Sequence, residues 1–488
     1  MQSPEQINPS LMNNARAGVI WVAAITWGTK LISIATTLVL ARILAPNDYG
    51  LVAVATIVIS ALAVFTDLGL GSAIIHSKAD RDRMASTAFF LMPIIGIVLY
   101  TFAYITAPAV SALLGSPAST ALIRVIGLNL ILSSFTIVPS ILLEKDMAYR
   151  KKVVPDLAPT IIYVFVAIYF AKVLHLGAYS IAYGAVIQGV ASLILNWLFA
   201  RWAPKLLFDK AIASQLFKYG RNVLGGSILL YITTNMDNTF VSRSSGAAAL
   251  GLYAFAYNLA NLPATHIGDV LGRVLFPSFV KMGDDPTRLR ANYVRSLRFI
   301  TLITYPVIMG LAAISLTAIP ILLGSKWVNC APIIISLSGF TLIRVFSGAT
   351  GSLLLATGKT RLILITGVSG LVFQAGLLPL LLIYYKLGAV GAGIAVSLSA
   401  LLNLLILASF LYKLYLPSMM GIWRFFESRV FPSFMIFIVV FPVNFILNRT
   451  SSTLLIEIIL GAITYLATLW LVDGKETAQE LKLIINSR

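Results

Sequence analysis

The sequence predicts an all-α integral membrane protein of about 14 transmembrane helices, built as two six-helix lobes followed by two C-terminal helices. Three observations carry this. First, 59% of the 488 residues are hydrophobic and only 11% charged, and apolar segments of about 20 residues, the length that crosses a bilayer, recur along nearly the whole chain. The strand alternation of an outer-membrane barrel is absent, so the spans are read as helices. Second, the connections alternate in charge. Third, the first half recurs, weakly, in the second.

Fourteen spans follow from the hydropathy pattern: 18–41, 51–74, 85–107, 121–143, 157–174, 178–200, 223–242, 249–277, 298–323, 331–356, 362–385, 388–411, 430–447 and 453–472. Of the 36 Lys and Arg residues, 26 fall on one side of this arrangement and 6 on the other. The remaining four, Lys30, Arg124, Arg273 and Arg344, fall inside spans, while Lys172 and Arg298, within two residues of a span end, are counted with the adjoining loops. Cytoplasmic loops carry the excess of basic residues, so both termini of a multi-pass protein are expected in the cytoplasm. The leader 1–17 runs into a span too long for a signal-peptide core, and no cleavable signal is expected. The net charge of +18 then marks loops facing anionic lipid rather than a nucleic-acid surface.

The repeat begins with RILAPNDYGLVAVATIVISALAVFTDLGLGSAIIHSK, residues 42–78: Arg42, Gly50, Leu51, Ala53 and Ala55 match Arg243, Gly251, Leu252, Ala254 and Ala256. LLGS at 113–116 returns at 322–325, each time between the third and fourth spans of its half, and LGA at 176–178 returns at 387–389, between the fifth and sixth. Six spans per unit is even, so the two copies share topology and relate by an axis along the membrane normal. The expected organisation is a leader (1–17), an N-lobe (18–200), a basic amphipathic linker (201–222), a C-lobe (223–411), an interfacial segment (412–429), spans 13 and 14 (430–472) and a cytoplasmic tail (473–488). In the linker, Phe208, Ile212 and Leu216 recur at helical spacing beside Lys205, Lys210, Lys218 and Arg221. Such a helix lies on the membrane surface or serves as a plain connector.

No enzyme is legible. The three histidines, His76, His175 and His266, are scattered, and the single Cys330 excludes an internal disulfide and a cysteine metal cluster. No phosphate-binding glycine loop, nucleophile elbow or paired carboxylate occurs, and no cofactor is expected. The informative residues are charges at membrane depth, each costing about 2.5–3.5 kcal/mol on insertion scales, which favours protein or water around them over lipid. Lys30 lies mid-way along span 1, where it is least able to snorkel. Arg344, Arg273 and Arg124 are the other basic candidates for a substrate cavity, although Arg344 and Arg124 are near enough to an interface to snorkel. Asp237, flanked by Asn235 and Asn238, Asp67 near the cytoplasmic end of span 2, and Asp269 are candidates for a coupling ion. Each has a plainer alternative: Asp237 as polar glue between helices, Asp67 as a solvated or capping carboxylate, and Asp269 as the partner of Arg273 four residues on.

RILAPNDYGLVAVA and FTDLGLGSAI in the first half, and NMDNTFVSRSSGAAALGLYAFAYNLANLP (235–263), FPSF (276–279), GSKW (324–327) and ATGK (356–359) in the second, resemble Wzx-type polysaccharide flippases. The branch they resemble is that of colanic acid exporters, in the superfamily that also holds lipid II flippases and multidrug extruders. The resemblance covers about residues 15–415. It implies two six-helix lobes around a central cavity and the translocation of polyprenyl-diphosphate-linked oligosaccharide across the inner membrane, by alternating access, for surface polysaccharide synthesis. The implied partners are that lipid-linked glycan, membrane lipids and the polysaccharide polymerase and export proteins, with no nucleic acid and a monomer as the expected state. A diphosphate needs cationic partners, but four basic against three acidic candidates leave a second reading open, a cation-coupled multidrug exporter on the same scaffold. The short outer loops speak against a glycan polymerase. Topology is directly testable: reporters fused after Gly115 and Gly324 should report the outside, and those after Asp80 and Asp284 the inside. A reversal at any of the four would break the span assignment.

Overall fold

Hydrocarbon offers no hydrogen-bond partner to a peptide group, so a spanning segment must satisfy its own backbone. The computed structural model describes residues 27–67, 81–146, 148–282, 285–414, 428 and 430–485, and among them no strand occurs. Among these residues a helix falls in every predicted span. They are α1 (27–43), α2 (Pro46–Asp67), α3 (Arg81–Leu113), α4 (Thr120–Lys145), α5 (Tyr149–Lys172) and α6 (Ala178–Ala200). The run Lys210–Lys281 is broken at Gly246 (φ 79°, ψ 177°) into α7 (210–245) and α8 (247–281). Then follow α9 (Pro286–Leu323), α10 (Cys330–Ala356), α11 (Thr360–Pro379, continued by a π turn over Leu380–Tyr384) and α12 (Gly388–Leu414). Last come α13 (Phe431–Val440, extended after Pro442 by Val443–Ile446) and α14 (Ser451–Ile485). Ten of the described helices are long and apolar enough to cross a membrane, and α13 with its extension is a shorter apolar one.

Aspartates start three of these helices. Asp285 accepts from the amides of Thr287 and Arg288 at 3.0 and 3.1 Å, with Pro286 in the first turn, where its missing N–H costs nothing. Asp209 accepts from Ala211 and Ile212, and Asp48 reaches back to the Ala45 amide at 3.0 Å. The α9 helix begins a full three turns before the predicted span. Its buried Leu289, Tyr293, Leu297 and Ile300 form one stripe, while Arg288 and Arg295 point outward. A hydropathy average registers the arginines and misses the stripe. Similarly, α14 continues as helix to Ile485, into the predicted tail. The predicted interfacial segment 412–429, apart from Ser428 and the backbone of 412–414, lies outside the described residues.

The chain divides into two compact units, Met1–Asn235 with Gly246–Ala248, and Met236–Ser245 with Ala249–Arg488. In the first, Leu40 of α1 and Leu44 just after it pack with Ala167 and Ala171 of α5. A second cluster joins Met84, Ala88 and Met92 of α3 to Val138 and Leu142 of α4, together with Ile212 and Leu216 from the start of α7. Two of the three apolar linker residues are thus buried in protein, while Phe208 is exposed. Lys205 pairs with Asp82 at 2.5 Å on this surface. In the second unit the main cluster gathers α8, α9, α10 and α12, and α13 packs on α9 through Ile436, Val440 and Ala313.

The repeated motifs fold alike, each in its own unit. LLGS ends a long helix on a left-handed glycine, Gly115 (φ 71°) or Gly324 (φ 98°), and leads into a 3-10 turn, Pro117–Ser119 or Ser325–Trp327. LGA places Gly177 and Gly388 at φ 55° and 54°, and the residue two before each, His175 or Lys386, also has positive φ, 52° and 56°. Glycine carries no Cβ penalty there, whereas His175 and Lys386 do. The correspondence extends to one hydrogen bond. The Ser119 hydroxyl donates to the Leu51 carbonyl at 3.1 Å, and the Cys330 thiol donates to the Leu252 carbonyl at 3.4 Å. Leu51 and Leu252 are equivalent repeat positions, so the lone cysteine occupies the place of a serine. Cys330→Ser should therefore change stability by less than about 1 kcal/mol, while Cys330→Leu, overpacking a fully buried site, should cost about 1–3 kcal/mol. Thermal unfolding in detergent reads both.

Candidate functional site

Two of the seven charges singled out in the sequence come together in the second unit. Asp237 of α7 is buried and accepts two hydrogen bonds, from the Tyr253 hydroxyl at 2.6 Å and from the Asn238 amide at 2.9 Å. Tyr253 and Tyr257 are one turn apart on α8 and share a face, their rings 6.1 Å apart. Tyr257 stacks on Phe340 of α10 at 5.7 Å and accepts a hydrogen bond from Arg344 Nη1 at 3.3 Å. Arg344, one turn beyond Phe340, also lies 5.7 Å from that ring centroid, close enough for a cation–π contribution. A carboxylate and a guanidinium are thus joined through two phenols and a phenyl ring carried on helices.

The support is local. Ser397 of α12 donates to the Ser336 carbonyl at 2.7 Å and accepts from the Phe340 amide at 3.1 Å. It grips the turn of α10 that carries the Phe340–Arg344 face. Gly393, one turn before, permits this approach, since a Cβ there would stand 2.0 Å from Ser336 Oγ. The glycine-rich start of α12 therefore packs closely against α10. Next to the cluster, two amide oxygens, Asn238 Oδ1 and Asn261 Oδ1, are buried without a hydrogen-bond partner among the described residues. Asn261 continues the Tyr253–Tyr257 stripe by one further turn, so that stripe presents hydroxyl, hydroxyl and amide in succession.

Arg344 is half-buried, and one of its five N–H groups goes to Tyr257. The planar fork can grip a phosphate with the others. Asp237 and Asn238 supply oxygens of the kind that binds a proton or a hard monovalent ion. Among the described residues no group of three His, Cys, Asp or Glu side chains could hold a metal.

The other candidates are placed elsewhere. Lys30 sits half-buried on α1 of the first unit. Arg124, in the first turns of α4, lies over the Tyr104 ring at 4.3 Å and donates to the Tyr104 carbonyl at 3.4 Å. Asp67 is the last residue of α2, and its side chain, with those of Asp269 and Arg273, lies outside the described residues. Sequence reasoning missed Tyr253, Tyr257 and Phe340 as site residues. The signal was present in GLYAFAYNLANLP as two tyrosines four apart, but an aromatic stripe on an apolar helix reads first as core. It also missed Glu457, the lone charge in the apolar stretch 451–472.

Comparison with known proteins places this geometry. The family described as polysaccharide biosynthesis protein matches residues 39–332. The lipopolysaccharide biosynthesis protein WzxC of Escherichia coli (strain K12) is 26% identical over 357 residues, covering 72% of this chain and 71% of that one. The succinoglycan biosynthesis transport protein ExoT of Rhizobium meliloti (strain 1021) is 26% identical over 314 residues, 64% of this chain and 63% of that one. Among solved structures, the lipid II flippase MurJ in an inward closed conformation superimposes with a TM-score of 0.74 at 15% identity, over 94% of this chain and all of that one. An inward-facing multidrug resistance transporter of the MATE family gives 0.64 at 15% identity, over 81% of this chain and 98% of that one. The chain therefore shares the fold of these two structures, and the predicted multi-pass α-helical class holds. Removing the phenol that serves Asp237 tests the cluster: Tyr253→Phe should cost about 1.5–3 kcal/mol, the range for a hydrogen bond to a charged group, measured as a lowered unfolding midpoint. A variant as stable as the parent would remove that contact from the account.

Proposed function

Because the chain belongs to the polysaccharide biosynthesis protein family, matched over residues 39–332, we propose that it is a flippase for polyprenyl-diphosphate-linked oligosaccharide. It moves the glycan and its diphosphate across the bacterial inner membrane by alternating access, for O-antigen, capsule or exopolysaccharide synthesis. It does so as a transporter, with both termini in the cytoplasm. The observation that supports this most directly is Arg344, a guanidinium at membrane depth held by Tyr257 and Phe340 with donors to spare. Charge-assisted, bidentate contacts to phosphate are the strong use of such a group. Lys30 supplies a second cation at depth in the first unit. The lipid tail stays in the bilayer, since each methylene moved into water costs about 0.8 kcal/mol. Asp237 takes the coupling proton or sodium ion, with Tyr253 as its donor in the state described here.

One observation favours a second reading. A buried carboxylate hydrogen-bonded to tyrosine suits a cation-coupled multidrug exporter, a class that shares this fold. Reconstituted vesicles separate the two: labelled lipid-linked oligosaccharide should be flipped and cationic drugs should not. In the same assay Arg344→Ala and Lys30→Ala should each lower the flipping rate by at least about tenfold, the equivalent of 1.4 kcal/mol. Arg344→Lys should recover only part, because an ammonium cannot reproduce the fork. Drug transport without glycan transport would overturn the assignment.

A further inference from the structure

At the C-terminal end of the second unit, three helices meet on a polar knot that the transport reading leaves unused. Glu457 of α14 is fully buried. Its Oε1 lies 2.9 Å from the Thr317 hydroxyl of α9, and that same hydroxyl lies 2.9 Å from Asn444 Oδ1 at the end of α13. The Asn444 amide nitrogen donates to the carbonyls of Ala313 at 2.8 Å and Phe441 at 2.9 Å. Those two acceptors fix the amide orientation, because a flipped amide would press its oxygen against both carbonyls. Asn444 therefore presents an acceptor to Thr317.

A threonine hydroxyl has one hydrogen. It cannot serve Asn444 Oδ1 and an ionised Glu457 Oε1 together, yet both stand at hydrogen-bond distance. Glu457 Oε2 has no hydrogen-bond partner among the described residues. An anion here would hold half its charge on an oxygen with no donor, in a site closed to water. One added hydrogen resolves the count. We propose that Glu457 is a proton-binding site. Glu457 Oε1–H donates to Thr317, Thr317 donates to Asn444, and Asn444 donates to the α9 backbone, so the bound proton latches α13 and α14 onto α9. The facing stretches, 313–323 of α9 and 431–446 of α13, carry no charged residue. Among the described residues, Arg449, in the connection between α13 and α14, is a cation near enough to act on Glu457. One carboxyl with an amide and a hydroxyl is too little charge for a divalent ion.

The latch contributes stability while the proton is bound and loses it as pH rises and the proton leaves. Infrared difference spectra of the full chain in nanodiscs, between acidic and alkaline buffers without sodium, test this. The wild type should show a carboxylic C=O stretch that disappears with rising pH, and the same transition should lower its unfolding midpoint. Glu457→Gln should lack that band and lose the accompanying drop in its midpoint, since its amide N–H can replace the proton toward Thr317. Where Glu457→Gln fails to fold, Thr317→Val serves, and should shift the frequency of the same band by removing its acceptor. Identical wild-type and variant spectra would overturn the proposal. A band that appears only when sodium is withdrawn would also overturn it and assign the site to that ion.

Discussion

A polar group inside hydrocarbon must find its partner within the protein, and this requirement sorts the hydroxyls and amides of the described spans. Many turn inward on their own helix: Thr36, Thr301 and Thr341 each donate to the carbonyl four residues back. Such bonds silence a side chain without tying it to anything. A smaller set crosses between helices, and these decide the tertiary arrangement. Ser119, Cys330 and Ser397 reach backbone groups of neighbouring helices, Tyr465 reaches the Leu302 carbonyl, and Tyr253 and Thr317 reach carboxyl groups. Apolar side chains drive little association against lipid, so cross-helix polar bonds and close small-residue contacts carry specificity here.

The same sorting explains how two halves with few identical residues share a local plan. What persists between them is the point where the backbone must bend or bond: the left-handed glycines after LLGS and within LGA, and the donor that meets the second helix of each half. At the last of these the residue type has changed from Ser119 to Cys330 while the bond to the equivalent leucine carbonyl remains. Everything lipid-facing is free to drift, because hydrocarbon does not distinguish Leu from Ile or Phe.

Within the second unit, the Asp237–Tyr253 and Tyr257–Arg344 contacts keep opposite charges at depth without pairing them directly. A direct salt bridge would neutralise both charges against each other. Phenols between them satisfy part of each group's demand and leave donors on the guanidinium. The aromatic stack on Phe340 and the Ser397 grip on α10 fix the geometry from two sides, which is the preorganisation a binding site needs.

Much of the architecture is written in the linear pattern, because spanning a bilayer imposes a length, a composition and a charge bias that hydropathy reads directly. Among the described residues, a helix at each of the fourteen predicted spans and the matching turns at LLGS and LGA follow from the sequence. Amphipathic extensions such as 286–297 escape it, since their arginines cancel their buried stripe in any average. The site was legible only as a set of charges. Sequence singles out Asp237 and Arg344 because an isolated charge in an apolar span is costly wherever it points. It cannot say that they share a cluster while Arg124 rests on Tyr104, for that depends on which helix faces meet. Tyr253, Tyr257, Phe340 and the Thr317–Asn444–Glu457 knot became meaningful only in three dimensions. Their chemistry lies in contacts between residues 16 to 140 positions apart, and helix packing alone sets those distances.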